Sequence, residues 1–209
     1  MFQGFSPTVF VSRMITLVIA FTIHEFSHAF VATRFGDPTP RENGRLTLNP
    51  LKHLDVFGSL MLLLVGFGWA KPVPIRPDIL LKRSKAGVML VSFSGPFSNF
   101  LLAVLGALLL AVLKMNTLSG WLAIFLGQFV WINLSLMIFN LIPLAPLDGE
   151  KVLEFFIPQS ARHVWDQIQE HGAQILMLVF LILPYLNINV FGKVLSPVIR
   201  SIYFWLVGG

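Results

Sequence analysis

The chain of 209 residues contains no cysteine, which excludes disulfides and thiolate metal sites. Charge is scarce as well. Only 12% of the residues are charged, against about 25% in a soluble domain, while 56% are hydrophobic. Mean hydropathy is +0.78. The ten carboxylates and fifteen Lys and Arg leave a net charge of +5. In a membrane chain, basic loops serve topology and anionic lipid, so nucleic acid is not an expected partner. No internal repeat or low-complexity segment is visible. These scarcities describe an all-α polytopic membrane protein. Its length allows four or five membrane segments with short connections and no separate soluble domain.

What is present is a series of apolar runs. The first extends from about Val9 to Thr33, with Arg13 marking its outer end and Arg34 stopping it. It is longer than the roughly 7–15 apolar residues of a signal peptide and no small-residue cleavage site follows, so a retained membrane helix is expected. From Arg34 to Lys85 the chain is mixed and holds nine of the fifteen Lys and Arg against four carboxylates. That bias places the loop in the cytoplasm. Within it, Arg45 to Leu48 alternates like a short strand, and Lys71 to Ile75 reads as extended because of its prolines. The apolar stretch Val56 to Trp69 would reach only about 21 Å as a helix, so a re-entrant or shallow segment is expected. Further runs cover about Ala86 to Leu113 and Trp121 to Leu144. Glu150 to His171 is polar and reads as a return along the cytoplasmic face. A segment from about Ala173 to Leu186, broken near Pro184, is followed by an amphipathic stretch, Val194 to Val207, expected at the interface.

The chemistry lies in His24-Glu25-Phe26-Ser27-His28. Four residues apart on a helix, His24 and His28 share a face and can meet one metal ion, and Glu25 can reach a water on it. This is the H-E-x-x-H pattern of zinc hydrolases. Of the ten carboxylates, only Glu25 and Asp148 lie within or at the end of an apolar segment. An ionisable group there costs at least about 2.5 kcal/mol unless paired or bound. Two histidines with one carboxylate form a known catalytic zinc set, which makes Asp148 the candidate third ligand. The topology agrees: with residues 56–69 not spanning, His28 and Asp148 fall at similar depth near the cytoplasmic ends of their segments. Pro143 and Pro146 preclude a regular helix before Asp148, and irregular backbone at membrane depth must be buried in protein or line a water-filled cavity. Asn133 and Asn140 are expected on the cavity side. Gly95, Pro96 and Asn99 read as helix packing, and His53, His163 and His171 as solvated surface. Rival readings are a metal transporter, which needs no glutamate after its first ligand, and a catalytically silent scaffold.

With His24-Glu25-Phe26-Ser27-His28 followed by Asn140-Leu141-Ile142-Pro143-Leu144-Ala145-Pro146-Leu147-Asp148-Gly149, the chain resembles the site-2 protease family of intramembrane zinc metalloproteases. Gly95-Pro96 with Asn99, and Gly68 to Pro74, add weaker support. The resemblance covers roughly residues 20–150. It implies a three-helix catalytic core over about residues 9–150 within one domain, 1–209, with one or two further C-terminal helices over about 173–207. It implies one Zn2+ on His24, His28 and Asp148, Glu25 as the catalytic base, and Asn140 as a substrate contact. The substrate would be a transmembrane protein, cut in a prokaryotic inner membrane with the site toward the cytoplasm. A minimal form without PDZ or CBS modules is expected.

Overall fold

The computed structural model describes residues 6–55, 57–58, 68, 70–113 and 120–208. The expected re-entrant segment, 56–69, lies almost entirely outside the described residues. Three helices are long and apolar enough to cross a membrane: α1 (Pro7–Arg34), and two that follow the basic loop, Gly87–Val112 and Gly120–Asn140. Between α1 and these sits the short α2 (Pro77–Arg83); the long pair are therefore α3 and α4. After α4 come α5 (Asp148–Glu154), α6 (Arg162–Glu170), α7 (Gly172–Met177) and α8 (Ser196–Val207). The third apolar run was expected to reach residue 144, but α4 stops at Asn140, where the following prolines remove amide donors.

In lipid, every polar group of a spanning helix needs an internal partner. In α1 the hydroxyls of Ser12 and Thr22 donate to the carbonyls of Thr8 (2.7 Å) and Val18 (2.6 Å), one turn earlier. Helices α1, α3 and α4 pack against one another pairwise. The α3–α4 seam is built of small against branched residues: Ala103 and Ala107 meet Val130 and Leu134 in the main apolar cluster. Gly106 allows the closest approach, since a Cβ there would lie 3.0 Å from both Phe129 and Val130. Helix α8 adds Ile199, fully buried, to the same cluster. The amphipathic C-terminal stretch thus lays its apolar side on the bundle. The segment before it changes from π-helical (Leu178–Ile182) to 3-10 geometry (Leu183–Leu186) at its proline, and its sharp bend, 53°, lies earlier, between Gln159–Glu170 and Gly172–Leu186.

Two expectations for the basic loop fail. Residues 45–48 form no strand; among the described residues a single antiparallel bridge joins Leu54 and Ala70. Arg45 is instead buried, its guanidinium bonded to the carbonyls of Lys52, Lys71 and Pro72. Burial lowers its pKa from the ordinary arginine value, and the negative charge of Glu25 opposes that. His53 is not solvated but fully buried, its Nε2 2.7 Å from the Thr47 carbonyl. Period-two patterning missed this because the loop is ordered by side chains gripping carbonyls rather than by a ladder.

If the α3–α4 seam sets the bundle, Gly106→Ile should cost about 1–3 kcal/mol through overpacking. Thermal melts in detergent should show a lower Tm, whereas Gly120→Ala, with nothing within 4 Å of the added methyl, should leave it unchanged.

Candidate metal centre

Helical periodicity sets His24 and His28 one turn apart, with ring centroids 4.7 Å from each other and both side chains buried in the bundle. Asp148 arrives from the far side as the first residue of α5. Its Oδ2 lies 3.1 Å from His24 Nε2 and its Oδ1 3.3 Å from His28 Nε2. These are the only three His, Asp or Glu side chains among the described residues whose donor atoms cluster as a metal site would require.

The rings are turned by their other nitrogens. His28 Nδ1 is 2.8 Å from the Val91 carbonyl, which can only accept, so that nitrogen carries the proton. His24 Nδ1 faces Asn99 Oδ1 at 2.7 Å. With protons on both Nδ1 atoms, two imidazole lone pairs and a carboxylate point at one another. No hydrogen-bond donor satisfies Asp148 Oδ2. Such an arrangement repels unless a cation lies between the three. Size agrees with chemistry. At the roughly 2.0–2.2 Å bonds of tetrahedral zinc, neighbouring ligand atoms stand about 3.3 Å apart. The 3.1 and 3.3 Å separations are close to that, and two imidazole nitrogens with one carboxylate suit zinc, whereas calcium takes oxygen ligands.

Helix α3 makes room for the site through Gly95. A Cβ there would lie 2.4 Å from His28 Nε2 and 2.6 Å from His24 Nε2. Glu25, 8% exposed, opens with His28 and Asp148 onto a cavity of about 120 Å³ walled by Pro72, Val73, Ile75, Val91 and Ser92. At roughly 30 Å³ per water, several waters fit.

The loop that delivers Asp148 has no ladder of its own and is held from outside. Gln169 of α6 accepts from the Ala145 amide (2.8 Å) and donates to the Pro143 carbonyl (3.2 Å). Gly149 packs so closely that a Cβ would meet the Leu141 carbonyl at 2.3 Å.

The structure therefore brings together His24, Glu25, His28 and Asp148. It does not bring Asn140 to them: that side chain is half-buried and donates to the Leu136 carbonyl at 3.0 Å. Asn99, read as packing, holds a ligand ring. Gln169 was missed altogether, because nothing local distinguishes one glutamine on a polar helix. His163 and His171 are exposed.

A family model described as peptidase family M50 matches residues 112–184, which include Asn140 and Asp148. The chain is similar to YwhC of Bacillus subtilis, with 42% identity over 173 residues, 80% of this chain and 78% of that one. It is 32% identical to Rip2 of Mycolicibacterium smegmatis over 86% of this chain and 70% of Rip2. With MJ0611 of Methanocaldococcus jannaschii it shares 31% identity over 74% of this chain and 75% of the other. Each of the three is named, provisionally, a zinc metalloprotease. No solved structure matches.

Gly95→Ala places a methyl where the ligands converge. It should abolish zinc binding, read by metal analysis of purified protein, while the circular dichroism stays that of the wild type.

Proposed function

The chain belongs to peptidase family M50, the site-2 protease family, and from that premise we propose that it is a zinc-dependent endopeptidase cutting membrane proteins within or near a transmembrane helix. The observation that carries the reading is the convergence of His24, His28 and Asp148 beside a buried glutamate, with that glutamate, His28 and Asp148 opening on a cavity that holds several waters.

On this reading His24, His28 and Asp148 hold one Zn2+. When bound, it polarises the scissile carbonyl and makes water acidic enough to be deprotonated near neutral pH. Glu25 takes the proton of the attacking water and delivers it to the departing amine, so the peptide bond breaks with no net proton lost. Low dielectric around the site strengthens each of these interactions.

A spanning helix has all its amides bonded internally, so the substrate must present extended backbone to be cut. The wall of the cavity suits such a chain. Residues 71–76 belong to no helix or turn and are pinned at both ends. At one end the Lys71 amide donates to His53 O (2.8 Å) and Arg45 holds the carbonyls of Lys71 and Pro72; at the other the Arg76 amide donates to Asp37 Oδ2 (2.6 Å). Between the pins, the Val73 and Ile75 amides make no hydrogen bond among the described residues. An unwound substrate can pair with that edge as an added strand. Asn140 enters as a substrate contact on family resemblance alone. The basic loop after α1 puts the site toward the cytoplasmic face of a bilayer.

The test is Glu25→Gln. Zinc content should stay at one per chain, while cleavage of a co-expressed, tagged single-span protein falls by at least about a hundredfold, as removal of a general base predicts. Cleavage at the wild-type rate would remove Glu25 from the mechanism.

A further inference from the structure

Asn99 and Asn133 are both fully buried in the middle of the three-helix bundle. An amide can meet an imidazole with either end. Its oxygen accepts the ring proton, whereas its NH2 donates to the ring and leaves the proton on the other nitrogen. At His24 that choice decides whether Nε2 faces Asp148 with a lone pair or with a hydrogen.

Backbone carbonyls remove the freedom. The Phe129 carbonyl, 2.8 Å from the Asn133 side chain, can only accept, so the Asn133 NH2 faces it and the Asn133 oxygen is turned toward Asn99. Asn99 must then direct its own NH2 at that oxygen, 3.0 Å away. The Ala20 carbonyl, 3.4 Å from the same nitrogen, favours the same orientation. Only the Asn99 oxygen remains for His24 Nδ1, at 2.7 Å, and that nitrogen holds the proton. We infer that Asn133, acting through Asn99, is a positioning residue that fixes His24 as its Nδ1–H tautomer and keeps the Nε2 lone pair on the metal side. The order propagates from a carbonyl of α4, through α3, to α1. His28 needs no relay, because the Val91 carbonyl faces its Nδ1 directly.

This unequal anchoring supplies the test. The inference rests on the zinc reading only for its effect on affinity; the place of the proton is a property of the chain itself. Full-length protein labelled with 15N-histidine, metal-free and at a pH alkaline enough to leave both rings neutral, should show Nδ1–H at His24 and His28. Asn133→Leu removes the directing oxygen and lets the Asn99 amide turn over. His24 should then show mixed tautomers while His28 is unchanged, and zinc affinity by chelator competition should fall about tenfold. Asn133→Asp offers an acceptor oxygen to the Asn99 NH2 in either charge state and should restore affinity to near the wild-type value. An Nε2–H ring at His24 in the wild type overturns the inference. So does a His24 unmoved by Asn133→Leu, an equal change at both histidines, or an Asn133→Asp protein as weak as the leucine variant. Failure of the wild type to bind zinc would instead remove the proposed function and leave the tautomer result standing.

Discussion

Three lone pairs directed at one point within the width of a membrane set the terms for this molecule. Nothing in a hydrocarbon medium screens their repulsion, and the carboxylate oxygen among them has no donor of its own. A divalent cation of zinc's size resolves the conflict, and the ligand spacing suits it. Much of the fold then follows as a set of conditions on bringing those atoms together. Helix α1 contributes two of the proposed ligands at one-turn spacing, α3 gives way through the absent side chain of Gly95, and the backbone after α4 bends back to present the third.

The same medium dictates how the remaining polar groups behave. The hydroxyls of Ser12, Thr22, Ser27 and Thr33 in α1 close onto carbonyls of their own helix, while that of Thr16 is buried with no partner among the described residues. The deeply placed amides of Asn99 and Asn133 close onto each other and onto backbone. In the loop between α1 and α3, the buried charges of Arg45 and Asp37 are spent on backbone carbonyls and amides instead of on each other. Used this way they act as clamps. They hold the two ends of residues 71–76, and between them the Val73 and Ile75 amides have no hydrogen bond among the described residues beside the cavity that Glu25 lines.

How much of this could be read from sequence depended on the range of the signal. The spanning helices and the i, i+4 histidines are local patterns, legible from apolar run length and helical period. Asp148 was reachable from further away because an acidic residue at the end of an apolar run is rare enough to demand a reason. Arg45, His53 and Gln169 gave no such signal. Each sits in a polar stretch where its type is ordinary, and each acquires its burial or its partners only when distant segments meet. Asn99 was seen but assigned to packing, since small and polar residues along α3 suit close helix contact equally well. Only the position of His24 Nδ1 separates the two roles.

The three proposed ligands are not held with equal stiffness. His24 and His28 ride on a continuous helix, and their rings are locked by partners on α3. Asp148 follows seven residues that lack a helical ladder, so its place depends on what grips that loop. Gly149 fits against the Leu141 carbonyl and so closes the loop on itself. The other grip is Gln169, which lies beyond the stretch of about 9–150 that contains every candidate ligand and the base. A catalytic core defined by the ligands alone would thus omit a side chain on which the third ligand's position rests. Helix α6 carries the exposed apolar residues Val164 and Ile168 and joins the next segment at a bend. At that bend Gly172 packs so closely on Ala145 that a Cβ would meet its carbonyl at 2.5 Å, so the junction of α6 and α7 supports the Asp148 loop through both the Gln169 amide and this contact.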